Sequence, residues 1–177
     1  MKPAAAALLV LGGLFAVPAH AQSGESYVGL GYVWSTYTAD NFPTANPKAL
    51  SIRVGWAASR YFALEARGTF NVGTDTVTYQ GAPVDVELVK AFGGYLKAIL
   101  PVSDAFALYA LAGAIGGRVK ATGAAYEASQ SKTGLSLGAG IDLAFDKHWG
   151  VALEWAQLFG GETYQVQATS LGVTYRY

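Results

Sequence analysis

Ser170-Leu171-Gly172-Val173-Thr174-Tyr175-Arg176-Tyr177 alternates strictly between two kinds of side chain. Leu171, Val173, Tyr175 and Tyr177 share one parity; Ser170, Gly172, Thr174 and Arg176 share the other. A period of two belongs to a β-strand, whose successive side chains point to opposite faces of a sheet. One face is therefore apolar and aromatic, the other small, polar and charged. The strand runs to an aromatic at the last residue, as a closing strand does when it must pair with the first. The same alternation recurs upstream, and its facing decides the fold.

Residues 1–21 read as an export signal, with Lys2 as the positive region, an apolar run over 4–17 and Ala19-His20-Ala21 as a small-x-small cleavage site. Cleavage before Gln22 is expected, leaving 22–177 as one domain. Cysteine is absent, so disulfides and thiolate metal sites are excluded. Twelve basic residues balance twelve acidic ones, Lys2 among the former, which gives no electrostatic reason to expect nucleic acid. Mean hydropathy is +0.27. Beyond the leader, however, no apolar run approaches the ~18 residues of a membrane helix. A hydrophobic chain without such a helix has one other way across a bilayer, a closed barrel with every backbone group paired between strands.

Alternation and turn residues mark eight strands, at about 26–35, 49–57, 61–71, 86–100, 105–117, 133–145, 149–159 and 165–177. The expected fold is all-β, an eight-stranded antiparallel up-and-down transmembrane barrel. Links at 58–60, 101–104 and 146–148 are short; those at 36–48, 72–85 and 118–132 are long, and 160–164 is compact. Short turns on the periplasmic rim and long loops outside are the outer-membrane rhythm, which puts both termini in the periplasm. Asn41-Phe42-Pro43 and Asn46-Pro47 are expected to hold the first long loop out of any strand.

The expected lipid-facing sets are Val28, Leu30, Tyr32, Trp34; Leu50, Ile52, Val54, Trp56; and Phe62, Leu64, Ala66, Phe70. They continue with Phe92, Leu96, Ala98; Leu135, Leu137, Ala139, Ile141, Leu143, Phe145; and Trp149, Val151, Leu153, Trp155. The fifth strand, mostly Ala, Leu and Gly, leaves its facing open. Aromatics gather at two levels, Trp56, Tyr61, Phe62, Phe106, Phe145, Trp149 and Tyr177 below and Trp34, Phe70 and Phe159 above, as interfacial girdles do. A soluble sandwich would put its charges on the face opposite the aromatics; here that face is mostly glycine and small polar residues.

Arg53, Glu65, Arg67, Glu87, Lys97, Asp142, Glu154 and Arg176 share the inward parity. Facing lipid, each would cost ~2–4 kcal/mol at the midplane. Inside, they can pair. An eight-stranded barrel is only wide enough for its side chains to fill, so balanced charges suggest an interior polar network acting as a plug. The inward glycines, including Gly29, Gly31, Gly55, Gly93, Gly138, Gly140 and Gly172, leave room for long side chains. Gly29-x-Gly31 lacks the third glycine and helix of a phosphate loop.

Tyr61-Phe62-Ala63-Leu64-Glu65, 95–101, 137–142, 151–155 and 171–177 recur in order along the chain, and with them it resembles the eight-stranded outer-membrane barrel family that includes OmpA-type membrane domains and OmpX-like proteins. The resemblance implies an outer-membrane protein in contact with membrane lipid and lipopolysaccharide. It also implies insertion by the barrel assembly machinery, with Tyr175 and Tyr177 as the insertion signal. Family functions range over structural barrels, adhesins, small pores and a few enzymes, so fold does not settle activity. The peptidoglycan-binding domain of full OmpA-type proteins is missing, which removes support for wall anchoring, and the last residue is Tyr where the family more often has Phe.

Chemistry is sparse. Beyond the leader the chain has one histidine, His148, in a short turn, which leaves no transition-metal constellation. Glu65, Asp142 and Glu154 read as partners for Arg53, Arg67, Lys97 and Arg176 rather than as an acid–base pair. Asp40, Asp75 and Glu127 read as loop charges. No catalytic residue, metal or cofactor is expected. The expected function is a non-enzymatic structural or surface-interaction barrel acting through its loops, among them the polar and aromatic 36–42. The alternatives are a narrow porin-like channel, which needs the interior pairs to open, and a lipid-modifying enzyme, which needs a polar constellation on one rim.

Overall fold

The alternating segments pair into ten strands: β1 (Ser26–Ala39), β2 (Phe42–Ala45), β3 (Lys48–Ala57), β4 (Phe62–Gly73), β5 (Asp75–Tyr79), β6 (Ala82–Pro101), β7 (Phe106–Gly123), β8 (Tyr126–Ala144), β9 (Trp149–Gly160) and β10 (Tyr164–Arg176). The computed structural model describes residues 24–40, 42–79, 81–123, 126–160 and 164–177. The expected export signal lies outside them. All strands but β2 and β5 form an eight-stranded antiparallel wall in which each strand pairs with the next. The wall closes where β10 pairs β1, from Tyr27↔Arg176 to Ala39↔Tyr164. Closure leaves no free edge at membrane depth, as a bilayer requires.

Facing follows the alternation, inside out relative to a soluble protein. Leu30, Ile52, Phe92, Leu137 and Trp155 are exposed, and Leu135 reaches 80%. Arg53, Glu65, Lys97 and Glu154 are buried between the same strands. Each residue of the expected lipid-facing sets is exposed or half-buried on the outer parity. For β7, whose facing the sequence leaves open, Tyr109, Leu111 and Ile115 are buried, while Leu108, Ala110, Ala112 and Ala114 are exposed. The side chain of Phe159, expected in the upper girdle, lies outside the described ones.

Two expectations change. The long links are largely strand. β7 and β8 stay in register up to Gly123↔Tyr126, β5 pairs β6 from Asp75↔Val86 to Tyr79↔Ala82, and β2 pairs β1. Their polar outer faces hide the hydrophobic period by which strands are recognised, but backbone pairing continues past the bilayer. Pro43 does not prevent a strand: β2 has four residues and pairs on one side only, where a missing N–H is tolerated. Pro47 anchors the return, its carbonyl accepting from both Ser35 N (3.1 Å) and Ser35 Oγ (2.6 Å).

The short turns share one device. Ser59 Oγ accepts from the amides of Tyr61 and Phe62, Ser103 Oγ from those of Ala105 and Phe106, and Asp146 Oδ1 from those of His148 and Trp149, both at 2.7 Å. Each side chain satisfies the amides of a turn about to re-enter a strand with an aromatic residue.

Candidate functional site

The lumen is the only place where the described residues gather buried charge, and it is layered. Arg67 of β4 stands at the centre of the lower layer. Its Nε donates to Glu65 Oε1, its Nη1 to Glu154 Oε1 and its Nη2 to Glu154 Oε2 at 2.7 Å. This planar fork joins β4 to β9 across the barrel, a geometry that suits guanidinium and carboxylate. Arg53, 2% exposed, brings Nη1 to 4.0 Å from the same Glu154. Lys97 Nζ donates to Asp142 Oδ2 at 2.7 Å. Three cations thus face three carboxylates in a largely buried layer, where an unpaired charge is heavily penalised.

Tyrosines complete the layer, and inward parity alone could have placed Tyr27 and Tyr95 there. Tyr27 OH donates to Glu65 Oε2 at 2.6 Å and Tyr109 OH to Glu154 Oε2 at 2.8 Å. Arg67 lies 4.8 Å above the Tyr95 ring, and Lys97 lies 3.7 Å above that of Tyr109, within cation–π range. The cross-strand register puts several of these large groups opposite a glycine: Tyr27 opposite Gly55, Arg53 opposite Gly29, Tyr109 opposite Gly140. A Cβ on Gly55 would stand 2.0 Å from Tyr27 Cζ, and one on Gly140 2.5 Å from Tyr109 Cζ. The inward glycines therefore make room for rings as much as for long cations.

Two of the eight expected network residues stand apart. Arg176 turns inward at the mouth near the short turns, where a Cβ on Gly150 would lie 3.4 Å from its Nη1; no ion pair among the described residues includes it. Glu87 is a correction. A bulge between Leu88 and Lys90 shifts β6 by one residue, so that Val84, Val86 and Leu88 are buried above it and Ala91, Tyr95 and Lys97 below it. A one-residue shift flips every side chain to the other face. Glu87 consequently sits on the outer parity, opposite Lys120, and accepts from Asn71 Nδ2 at 3.0 Å.

Above the charges the lumen turns apolar. Val33, Ala49, Leu88, Ala91, Ile115, Ala156, Leu158, Val166 and Ala168 form one buried cluster. A second, of Ala45, Val84 and Val86, packs against Tyr37, Phe42, Val77 and Tyr79 from the strands beyond the belt. This apolar seal is absent from an expectation that treated the whole inward face as polar. A polar plug lies below, an oily one above.

Tyr175 and Tyr177 lie on the outer face at the other rim. Tyr175 meets Trp149 edge to face at 5.0 Å and stacks on His148 at 5.7 Å. Tyr177 N donates to Ser26 O at 3.0 Å and so ties the last residue to the first strand. No group of three or more His, Cys, Asp or Glu suited to a metal occurs among the described residues.

A sequence profile for the outer membrane protein beta-barrel domain matches residues 6–177. Similar solved structures include Ail, the attachment invasion locus protein of Yersinia pestis, at 19% identity and TM-score 0.65, covering 88% of this chain and 100% of that one. Neisserial surface protein A matches at 12% identity and TM-score 0.63, covering 86% and 97%. The N-terminal barrel domain of Pseudomonas aeruginosa OprF matches at 13% and 0.63, covering 87% and 99%. No curated protein sequence matches significantly.

Proposed function

The chain belongs to the outer membrane protein beta-barrel domain family and is an outer-membrane protein; from that premise we propose that it is a non-enzymatic barrel with a structural or surface-interaction role, closed to solutes and working through the hairpins of its long rim. The observation that carries this reading is the filled lumen, with an ion-paired layer under an apolar one. A hydrophobic constriction blocks ions by excluding water, and a charge layer locked in pairs offers no open path. The barrel therefore has its surface left to work with. On the long rim, β6, β7 and β8 run to 20, 18 and 19 residues, about twice what crossing the bilayer needs.

In this reading the short turns and both termini are periplasmic, and the long hairpins face outward. Outer-membrane lipid and lipopolysaccharide surround the belt. The barrel assembly machinery inserts the chain by its last strand, with Tyr175 and Tyr177 as the signal. Ail of Yersinia pestis has been crystallised with the heparin analogue sucrose octasulfate, a precedent for a bound ligand on a barrel of this fold. His148 is stacked on Tyr175 in a short turn whose amides Asp146 caps, a place that this reading assigns to the aromatic rim rather than to lipid-modifying chemistry.

Liposome swelling tests the reading. Vesicles carrying the folded protein should not swell in small sugars or amino acids beyond empty vesicles. Swelling that falls with solute size would replace it with the narrow channel.

A further inference from the structure

Arg53 is the least satisfied charge in the lumen. It is 2% exposed, and the one carboxylate within ion-pair reach, Glu154, stands 4.0 Å from its Nη1. That carboxylate is already committed, accepting twice from Arg67 and once from Tyr109. Arg53 donates no hydrogen bond among the described residues, and its Nε–H is buried without an acceptor. A buried donor left unpaired is costly, the more so on a charged group. The charge count points the same way. With Glu87 on the outer face, the inward cations from the lower mouth to the apolar seal are Arg53, Arg67, Lys97 and Arg176, against Glu65, Asp142 and Glu154. Four against three leaves one positive charge that the wall does not balance.

The Arg53 side chain runs from β3 across β1 toward β10. A Cβ on Gly29 would stand 2.7 Å from its Cγ, and Cβ atoms on Gly31 and Gly172 would stand 3.3 and 2.9 Å from its Nη2. Nη1 is turned to Glu154. The opposite edge of the guanidinium, which carries Nε–H and one Nη2–H side by side, is turned away from that carboxylate. Hydroxyls gather one step above it. Ser51, two residues from Arg53 on β3 and opposite Gly31, holds its Oγ 3.0 Å from the same Cβ position on Gly31 that Nη2 approaches. Its bond to Gly31 O is long, at 3.5 Å. Ser170, two residues from Gly172 and opposite Glu154, is buried, and its hydroxyl makes no hydrogen bond among the described residues. The next step up is Val33, Ala49 and Ala168 of the apolar seal. These donors are therefore the last polar groups beneath it.

We infer that the Nε–Nη2 edge of Arg53, with the hydroxyls of Ser51 and Ser170, forms a lumenal binding site for one small monovalent anion, a halide. The anion accepts from the two parallel N–H groups, which are charge-assisted donors, and from hydroxyls free to rotate toward it. It supplies the counter-charge that the wall lacks. The close approach of Gly31 and Gly172 to Nη2 favours an anion of one atom over a carboxylate or a phosphate. The site lies beneath the seal and opens toward the mouth at the short turns. It depends on neither the orientation of the barrel nor its closure.

The test measures thermal unfolding of the refolded full chain in phosphatidylcholine vesicles, in sodium chloride or bromide against sodium gluconate of equal ionic strength. Gluconate is too large for the site. Either halide should raise the midpoint along a saturating curve, by about 3–6 °C at ten times its dissociation constant. Ser51→Ala combined with Ser170→Ala should lose at least half of that gain, and Arg53→Gln should lose all of it. Lys147→Gln, which removes a cation from a short turn, should keep the full gain. Crystals grown in sodium bromide should show an anomalous scattering peak in contact with Arg53 and Ser51. Equal midpoints in halide and gluconate, with no bromide peak, would mean an ordered water only and overturn the inference. A purely structural role for the hydroxyls would lower the double variant equally in both salts, leave its halide gain intact and overturn it as well. A halide gain that survives Arg53→Gln would place the anion elsewhere on the protein and refute the site.

Discussion

Glu154→Gln removes one negative charge from the middle of the barrel while keeping the side chain's shape. In the parent, Glu154 accepts two bonds from Arg67 and one from Tyr109, and stands 4.0 Å from Arg53. After the change Arg67 keeps only the carboxylate of Glu65, and the buried Arg53 loses the carboxylate it faces. Breaking a buried pair by removing one partner costs about 3–5 kcal/mol, a large share of a typical domain's stability. The assay is denaturant unfolding of vesicle-inserted protein, followed by tryptophan fluorescence and by heat-modifiable migration. Arg67→Met should be destabilising too, since it strands Glu65 and Glu154. The double variant should lose less than the two singles together, by about 0.5–3 kcal/mol of coupling. A cost for Glu154→Gln below about 1 kcal/mol, or strict additivity, would refute the claim that these groups form one buried network. Conductance should not rise with the loss of the pair, because the apolar layer of Leu88, Ile115 and Leu158 still seals the lumen above it.

Gly55→Ala should destabilise by about 1–3 kcal/mol through overpacking against Tyr27, and Tyr27→Ala in the same chain should recover part of that, both read from unfolding midpoints. The amides of Trp149 and His148 hold the Asp146 carboxyl below the usual carboxylate range. Its contribution is therefore present above the unfolded-state pKa and lost as pH falls through the depressed folded value. On acidification the parent should lose stability relative to Asp146→Ser, whose hydroxyl can cap the turn without titrating; parallel curves would contradict this. Replacing both Tyr175 and Tyr177 by Ala should lower the yield of inserted, heat-modifiable protein in cells. Replacing the exposed Thr38 at the other rim should not.

Much of the wall is legible in the sequence because one chemical contrast, bulky apolar against small or charged, repeats with a period of two. Where the contrast fades, legibility fades with it. On β7 both parities are mostly Ala, Leu or Gly, and packing of Tyr109 and Leu111 into the lumen decides its facing. Glu87 has the parity of Lys97 but not its facing, since the extra residue at the bulge near Leu88 leaves no local composition mark. The extensions β2 and β5 and the stretches 118–123 and 126–131 read as loops because their outer faces are polar, yet the backbone ladder continues along them. The apolar seal was partly readable: Val33 shares parity with Gly29 and Gly31, and Leu158 shares parity with Glu154. The charged lower layer is legible residue by residue, while the tyrosine partners and the glycines facing them emerge only from the cross-strand register.

Single-channel recording in planar bilayers tests the central claim, that the lumen is closed by an ion-paired layer beneath an apolar seal. The parent should be electrically silent, and Glu154→Gln should be silent as well. Leu88→Ser combined with Ile115→Ser, which wets the seal, should give brief openings that become steady when Glu154→Gln is added. A steady ohmic conductance from the parent protein would contradict the account and make it a narrow channel.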